Sequence, residues 1–289
     1  MAYFFHIIIL INIYIIIAIS LNLIAGYTGI FSIAHAGFYG IGAYVVALMS
    51  VHFGTSFFVN LPCSILISGL VAAILAIPAL RIHDDYLVIA TFGFQMILFS
   101  IFNNWVSLTG GPLGIPGIPK IQIFGLTIDS HFEYLIFTGL FALAIYSIAK
   151  RLVGSPFGRV LKAIREDEIF AQSLGKNVTK YKILVFVIGG IMAAIAGALY
   201  AHYITFVDPT SFTILESIFM ISIVIIGGAG RLAGSVLGAI VLIVIPELLR
   251  FLGIPSAIAA NMRQMIYGAL LVLFIYLRPK GIIGEYEFK

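Results

Sequence analysis

Runs of apolar residues, each about as long as a bilayer core is thick, follow one another along almost the whole chain. About 20 helical residues cover the roughly 30 Å of hydrocarbon in a membrane. The first run extends from Phe4 to about Ala25 and contains no Asp, Glu, Lys or Arg. It is longer than the apolar stretch of a signal peptide, lacks a basic leader and shows no clear small-residue cleavage site, so it reads as a retained span. Further runs lie near 30–52, 57–80, 86–104, 132–149, 183–204, 213–229, 233–252 and 263–277. The pattern predicts an all-α, polytopic membrane protein of about nine transmembrane helices. The glycine-rich stretch 26–42 would read as a broken helix and leaves eight to ten open. The chain 1–289 then forms a single transmembrane domain, with polar excursions at about 105–131 and 150–182.

Composition sharpens this picture. Hydrophobic residues make up 62% of the chain and charged residues 10%, and the mean hydropathy is +1.15. A soluble domain carries about 25% charge, so this chain cannot cover a water-facing surface. The single cysteine, Cys63, excludes an intrachain disulfide and a cysteine-based metal site.

Charge placement then orients the chain. Segment 150–182 holds eight of the 16 basic residues, Lys150, Arg151, Arg159, Lys162, Arg165, Lys176, Lys180 and Lys182, against three acids, Glu166, Asp167 and Glu168. Basic loops stay on the cytoplasmic side. Threading nine spans from there puts Arg81, Arg231, Arg278, Lys280 and Lys289 inside too, leaving Lys120, Arg250 and Arg263 outside. The C-terminus comes out cytoplasmic and the N-terminus external.

Polar groups within apolar runs are the candidate working parts. Between Gly26 and Gly42 lie Tyr27, Thr28, Gly29, Ser32, His35, Gly37, Tyr39 and Gly40. Small residues let helix backbones approach closely in lipid, which is one reading of the glycines. Ionisable groups at membrane depth face a protein interior or a water-filled path, so His35 is either a neutral histidine satisfied by a neighbour or part of a pathway. A second glycine-studded stretch, Gly227–Gly238, contains Gly228 and Gly230 and echoes the first, as the halves of an inverted repeat would. Glu216 and Glu247 sit in apolar stretches and are expected to pair with Arg231 and Arg250, while His202 and Asp208 are expected to be solvated at a helix exit.

Thr109-Gly110-Gly111-Pro112-Leu113-Gly114 opens a glycine- and proline-rich segment that reads as an ordered external loop. The basic segment reads differently. Leu161, Ile164, Glu168 and Ala171 fall at helical spacing, and Gly175 is a natural stop. This predicts one short helix over about 155–175 with acids at its centre. Mixed charge beside a small apolar face suits a protein groove better than anionic lipid.

Searches for chemistry return little. The chain has no G-x-x-x-x-G-K-[ST] phosphate loop, no H-E-x-x-H and no G-x-S-x-G elbow. No catalytic residue, bound cofactor, metal or nucleic acid is expected.

Several stretches in order resemble one family. Ser20-Leu21-Asn22-Leu23, Gly26-Tyr27-Thr28-Gly29, His35-Ala36 and Gly40-Ile41-Gly42-Ala43-Tyr44 are similar to an N-terminal signature of LivM-type permeases. So are Thr109-Gly110-Gly111 with Gly114, the loop after Lys150, Val207-Asp208-Pro209, Gly227-Gly228-Ala229-Gly230 and Pro246-Glu247-Leu248-Leu249-Arg250. These permeases are inner-membrane subunits of bacterial ABC importers for branched-chain amino acids. The resemblance implies a second homologous permease subunit, two cytoplasmic ATPases that bind the ATP, and a periplasmic amino-acid-binding protein. It makes the 155–175 segment the ATPase coupling element, carried by Ser155, Phe157, Gly158, Arg159, Ile164, Arg165, Glu166, Asp167, Glu168, Ala171 and Gly175. Thr109, Gly110, Gly111 and Gly114 would face the binding protein. Ala171 and Gly175 fit the E-A-A-x-x-x-G coupling pattern, whereas Ile169 and Phe170 depart from it, and Arg231 and Ser235 stand where smaller residues or proline are expected. Importers of urea or short amides are related, and a stand-alone secondary carrier is the reading from a different class.

Overall fold

The computed structural model describes residues 2–80, 84–123, 126–250, 256–278 and 280–284. Arg81 and Lys289, both expected on the cytoplasmic side, lie outside the described residues. Helices dominate: α1 (Ala2–Thr28), α2 (His35–Phe53), α3 (Phe57–Ala79), α4 (Asp84–Asn104), α5 (Val106–Thr109), α6 (His131–Gly154), α7 (Pro156–Glu166), α8 (Glu168–Ser173), α9 (Val178–Ile204), α10 (Ile214–Gly227), α11 (Leu232–Arg250) and α12 (Ser256–Leu277).

Among the described residues, six helices, α1, α2, α3, α4, α6 and α9, are long and apolar enough to cross a membrane. They correspond to six of the nine expected runs. The runs at 213–229 and 233–252 are not two separate spans. They form α10 and α11, which meet at 118° across a four-residue break and make one broken span or a re-entrant loop. Among the described residues this makes six or, with the bent pair taken as one, seven candidate spans by length and composition, and Met265–Phe274 of α12 is a shorter apolar helix. Hydropathy registers apolar length but not direction, so a sharp turn at glycines looks like a loop between spans.

Three helices form the interior. α1 is buried continuously from Ile15 to Thr28, and α2 and α9 are buried along most of their lengths. α2 and α9 touch backbone to backbone. A Cβ at Gly42 would lie 2.1 Å from the Ala194 carbonyl oxygen, and one at Gly197 would lie 2.0 Å from that of Tyr39. Glycine pairs replace side-chain burial with close van der Waals contact where lipid removes any hydrophobic gain between helices. Around this trio, α3, α4 and α6 turn large apolar side chains outward, among them Leu66, Leu70, Ile89, Ile97, Leu140 and Leu143. Faces of that kind are expected against hydrocarbon.

The glycine-rich 26–42 stretch is a break between helices. α1 ends at Thr28, and Gly29, at φ +78°, turns the chain. Gly29 N–H returns to the Ala25 carbonyl at 3.1 Å, as in a glycine-terminated helix, and Ile30 N–H reaches the Ile24 carbonyl. Side chains accept backbone donors of the loop 29–34 and of the first turn of α2. Thr91 Oγ1 takes Ile33 N–H at 3.1 Å, Ser32 Oγ takes Ala34 N–H and Ser217 Oγ takes Ala36 N–H at 3.0 Å.

At the opposite end of α1 sits a small cap. Two-residue strands β1 (Ile115–Pro116) and β4 (Phe206–Val207) pair antiparallel, as do β2 (Gln122–Ile123) and β3 (Leu126–Thr127). A 3-10 turn over Pro209–Phe212 follows β4, packs against α2 and α4 and leads into α10.

Candidate translocation and docking site

The side chains expected to line a path separate into three groups. Tyr27, Thr28 and Gly29 lie at the end of α1 against α7: Lys162 Nζ stands 5.6 Å over the Tyr27 ring, Thr28 Oγ1 donates to Leu23 O, and a Cβ at Gly29 would meet Arg165. Ser32 serves the loop backbone. His35, Gly37, Tyr39 and Gly40 lie deeper, on α2. Gly228 and Gly230, at φ +117° and +77°, make the α10–α11 turn.

His35 is fully buried, with its Nε2 2.6 Å from Ser20 Oγ. Ser20 gives its one proton to the Ile17 carbonyl, so the histidine donates from Nε2 and its Nδ1 keeps a lone pair. Among the described residues that Nδ1 has no partner, and neither do the hydroxyls of Tyr39 and Tyr44 nor Gln95 Oε1. Buried polar atoms are nearly always paired, so four such atoms on or facing α2 mark this region out from an ordinary core. Gly37 and Gly40 are the places where α2 meets Gln95, Leu98 and Phe102 of α4.

The first and third groups are joined by Asn22, which the sequence displayed only as part of a signature. Its Nδ2 donates to Arg231 O and to Ser235 Oγ, both at 2.8 Å, and its Oδ1 accepts Gly230 N–H at 3.0 Å. A polar amide in an otherwise apolar span was the available signal. Arg231 and Ser235, which looked out of place, supply these contacts. A Cβ at Gly26 would lie 1.8 Å from Asn22 Oδ1 and 2.5 Å from Gly230 N, so α1 and the turn touch here. The C-terminal segment closes the same junction, with Ile282 and Ile283 N–H donating to Ile226 and Gly227 carbonyls.

The segment expected as one helix over 155–175 is two. Asp167, at φ −158° and ψ 108°, ends α7 and caps α8 by accepting Phe170 N–H at 2.9 Å. An aspartate that can satisfy a free helix N-terminus competes with continuation of the helix, which helical spacing alone does not register. Ser155 precedes Pro156 at the start of α7, Phe157 stacks on Tyr181, and Gly158 packs onto the Val153 backbone. Ile164, Ala171 and Val178 form a small core that holds the two helices together. Glu168 grips Lys182 at 2.5 Å. Gly175 takes φ +74°. Arg165 Nη1 donates to the Gly26 carbonyl at 2.8 Å while Nη2 holds Glu166. Arg159 is exposed, and the bulky pair that departs from the coupling pattern is outward: Ile169 is 79% and Phe170 59% exposed, with Leu174 beside them.

At the other end, Thr109, Gly111 and Gly114 are buried. Thr109 Oγ1 donates to Phe102 O and accepts Gly111 N–H, and Gly110, Gly111 and Gly114 have φ of +74°, +58° and +68°. These residues build the turn, and its surface belongs to Pro112, Leu113, Pro116 and Gly117. Nearby, hydrogen bonds from Lys120, then Thr127, hold the exposed Asp129 carboxyl below its ordinary range.

Other expectations change. Glu216 accepts from Tyr14 at 2.5 Å and Glu247 accepts from Tyr3, which puts tyrosines where arginines were expected. His202 is buried, its Nδ1 2.7 Å from Pro119 O. Asp208 accepts from Thr210 and Ser211 and so holds the 3-10 turn.

Residues 3–275 match the family described as branched-chain amino acid transport system permease component. The chain is 36% identical to the high-affinity branched-chain amino acid permease protein LivM of Salmonella typhimurium, over 94% of this chain and 68% of that one. It is 28% identical to a probable LivM of Methanocaldococcus jannaschii, over 95% and 91%. The LivH permease of Escherichia coli is 27% identical, over 95% and 92%. No solved structure matches the chain significantly.

Proposed function

The chain belongs to the family of branched-chain amino acid transport permeases, and we propose that it works as the membrane-spanning half of an ATP-driven importer. Its cargo is leucine, isoleucine or valine. It binds no cofactor. ATP is bound and hydrolysed on two cytoplasmic subunits, a second homologous permease completes the path, and a periplasmic binding protein delivers the amino acid to the face that carries Pro112 and Leu113. The α7–α8 pair, Arg278 and Lys280 then lie in the cytoplasm, as the basic loop requires. The breaks after α1 and α10 stand for the two halves of an inverted repeat.

One observation carries the mechanism. α8 and its C-cap residue offer an exposed apolar knob, Ile169, Phe170 and Leu174, on a helix pair whose other side is tied through Arg165 to Gly26. A knob seated in a groove of an ATPase subunit moves when the ATPases close, and Arg165 passes the motion to the end of α1. Alternating access follows from the movement of α1 and α2 against the broken α10–α11.

The test is uptake of labelled leucine by cells without importers of their own, co-expressing this chain with its ATPases, second permease and binding protein. Removing an exposed aromatic anchor from an interface lowers affinity on the order of tenfold or more. Phe170→Asp should therefore abolish most ATP-dependent uptake while the protein still inserts. Glu168→Lys, which sets two cations against each other at Lys182, should do the same. Uptake that ignores the ATPases would instead leave a stand-alone carrier, and ATP-driven uptake of urea or an amide alone would change only the cargo.

A further inference from the structure

Phe212 is fully buried, yet it belongs to the short 3-10 turn after β4 and not to a spanning helix. Its ring lies 5.2 Å from that of Tyr39, 5.9 Å from Tyr44, 6.2 Å from Phe102 and 6.3 Å from Tyr200. Its carbonyl accepts from Gln95 Nε2 at 2.8 Å. A Cβ at Gly40 would come within 3.0 Å of the same ring, so α2 has no side chain where the phenyl group sits.

Two of the rings around it, Tyr39 and Tyr44, have buried hydroxyls with no partner among the described residues, and the same holds for the Oε1 of Gln95, the residue that binds the Phe212 carbonyl. A phenyl ring can satisfy none of them. An aromatic box that needs only to be packed would carry phenylalanines, because each unpaired buried hydroxyl costs stability. The combination of apolar walls, one carboxamide oxygen and two hydroxyls is what an apolar amino acid requires. Gln95 Oε1 accepts from an ammonium group, a tyrosine hydroxyl donates to a carboxylate, and the aromatic walls hold the aliphatic side chain.

We propose that the Phe212 side chain occupies the amino-acid site of this permease and is withdrawn when substrate enters. The reading rests on the transport function proposed above and gives it a location. Phe212 stands on a short turn anchored by Asp208 through Thr210 and Ser211, directly after the β4 strand of the cap. Movement of that turn exposes the site to the cap side, and its return closes the site behind the cargo.

The test uses the purified full chain in lipid nanodiscs and labelled leucine. Phe212→Ala should bind leucine at least about tenfold more tightly than the unaltered chain, because the competing ring is gone. Adding Tyr39→Phe should lower that affinity about fivefold or more, one hydrogen bond to a charged group. A purely structural Tyr39 gives the opposite signature, since removing an unpaired hydroxyl leaves thermal stability unchanged or higher and binding untouched. No leucine binding by Phe212→Ala, or binding indifferent to Tyr39→Phe, overturns the proposal. Should Phe212→Ala fail to insert, Gln95→Leu and Tyr39→Phe in the complete importer decide it: slower leucine uptake with an unchanged ATPase rate supports the site, and unchanged uptake removes it. If the unaltered importer moves no leucine but Phe212→Ala still binds it, the transport reading fails and the site stands.

Discussion

Gly197→Val should cost the protein clearly more stability than a surface change does. A Cβ there would lie 2.0 Å from the Tyr39 carbonyl oxygen and 2.9 Å from Ala43 N, and both are backbone atoms of a buried helix. No rotamer change makes room for it. α2 must move away from α9, which separates Gly42 from Ala194 on the opposite side of the same contact. Inserting atoms into a filled interior costs about 1–3 kcal/mol, and more when the obstacle is backbone. In detergent, the temperature of unfolding followed by size-exclusion chromatography should drop by about 5 °C or more, at roughly 2–4 °C per kcal/mol for a chain of this size. Gly93→Val is the control, because a Cβ at Gly93 meets nothing within 4 Å. Equal behaviour of the two variants would show that α2 and α9 do not touch in this way.

That contact illustrates what the chain discloses in one dimension. Apolar runs locate helices well, because length and hydropathy are local: α1, α2, α3, α4, α6 and α9 all fall where the runs lie. Direction is not local. The sharp turn at Gly228–Arg231 depends on Asn22, more than 200 positions earlier, and only three-dimensional contact reveals it. The break at Asp167 is local but turns on a competition between a cap and a continuing helix. Candidate site residues fared similarly. His35 and Tyr39 were visible as polar groups in an apolar run. Gln95, Tyr44 and Phe212 acquire meaning only once their unpaired atoms and rings are seen together. Charged residues also misled: Glu216 and Glu247 were matched with arginines because charge suggests charge, whereas tyrosine hydroxyls from α1 meet both.

Asn22→Leu should uncouple the importer we propose. Leucine keeps the branched shape and the number of side-chain heavy atoms but leaves Gly230 N–H without an acceptor and Arg231 O and Ser235 without the amide's donors. Each buried group left unpaired costs about 1–3 kcal/mol, so the α10–α11 turn loses its registration with α1. α1 meanwhile stays tied to α7 through Arg165 and the Gly26 carbonyl. ATP closure would then still move α7 and the end of α1, with the broken helix pair no longer following. The expected result is leucine uptake reduced about tenfold or more while hydrolysis continues, so that the ATP consumed per leucine imported rises. Asn22→Asp keeps the oxygen that accepts Gly230 N–H but loses both donors, and should fall between the two. Arg165→Lys acts one step earlier: it retains the charge but not the planar fork that spans Gly26 O and Glu166, and it should lower uptake and stimulated hydrolysis together. A parallel loss of hydrolysis and uptake in Asn22→Leu would place this residue in the docking step instead, and the junction at Gly230 would then be scaffold and not transmission.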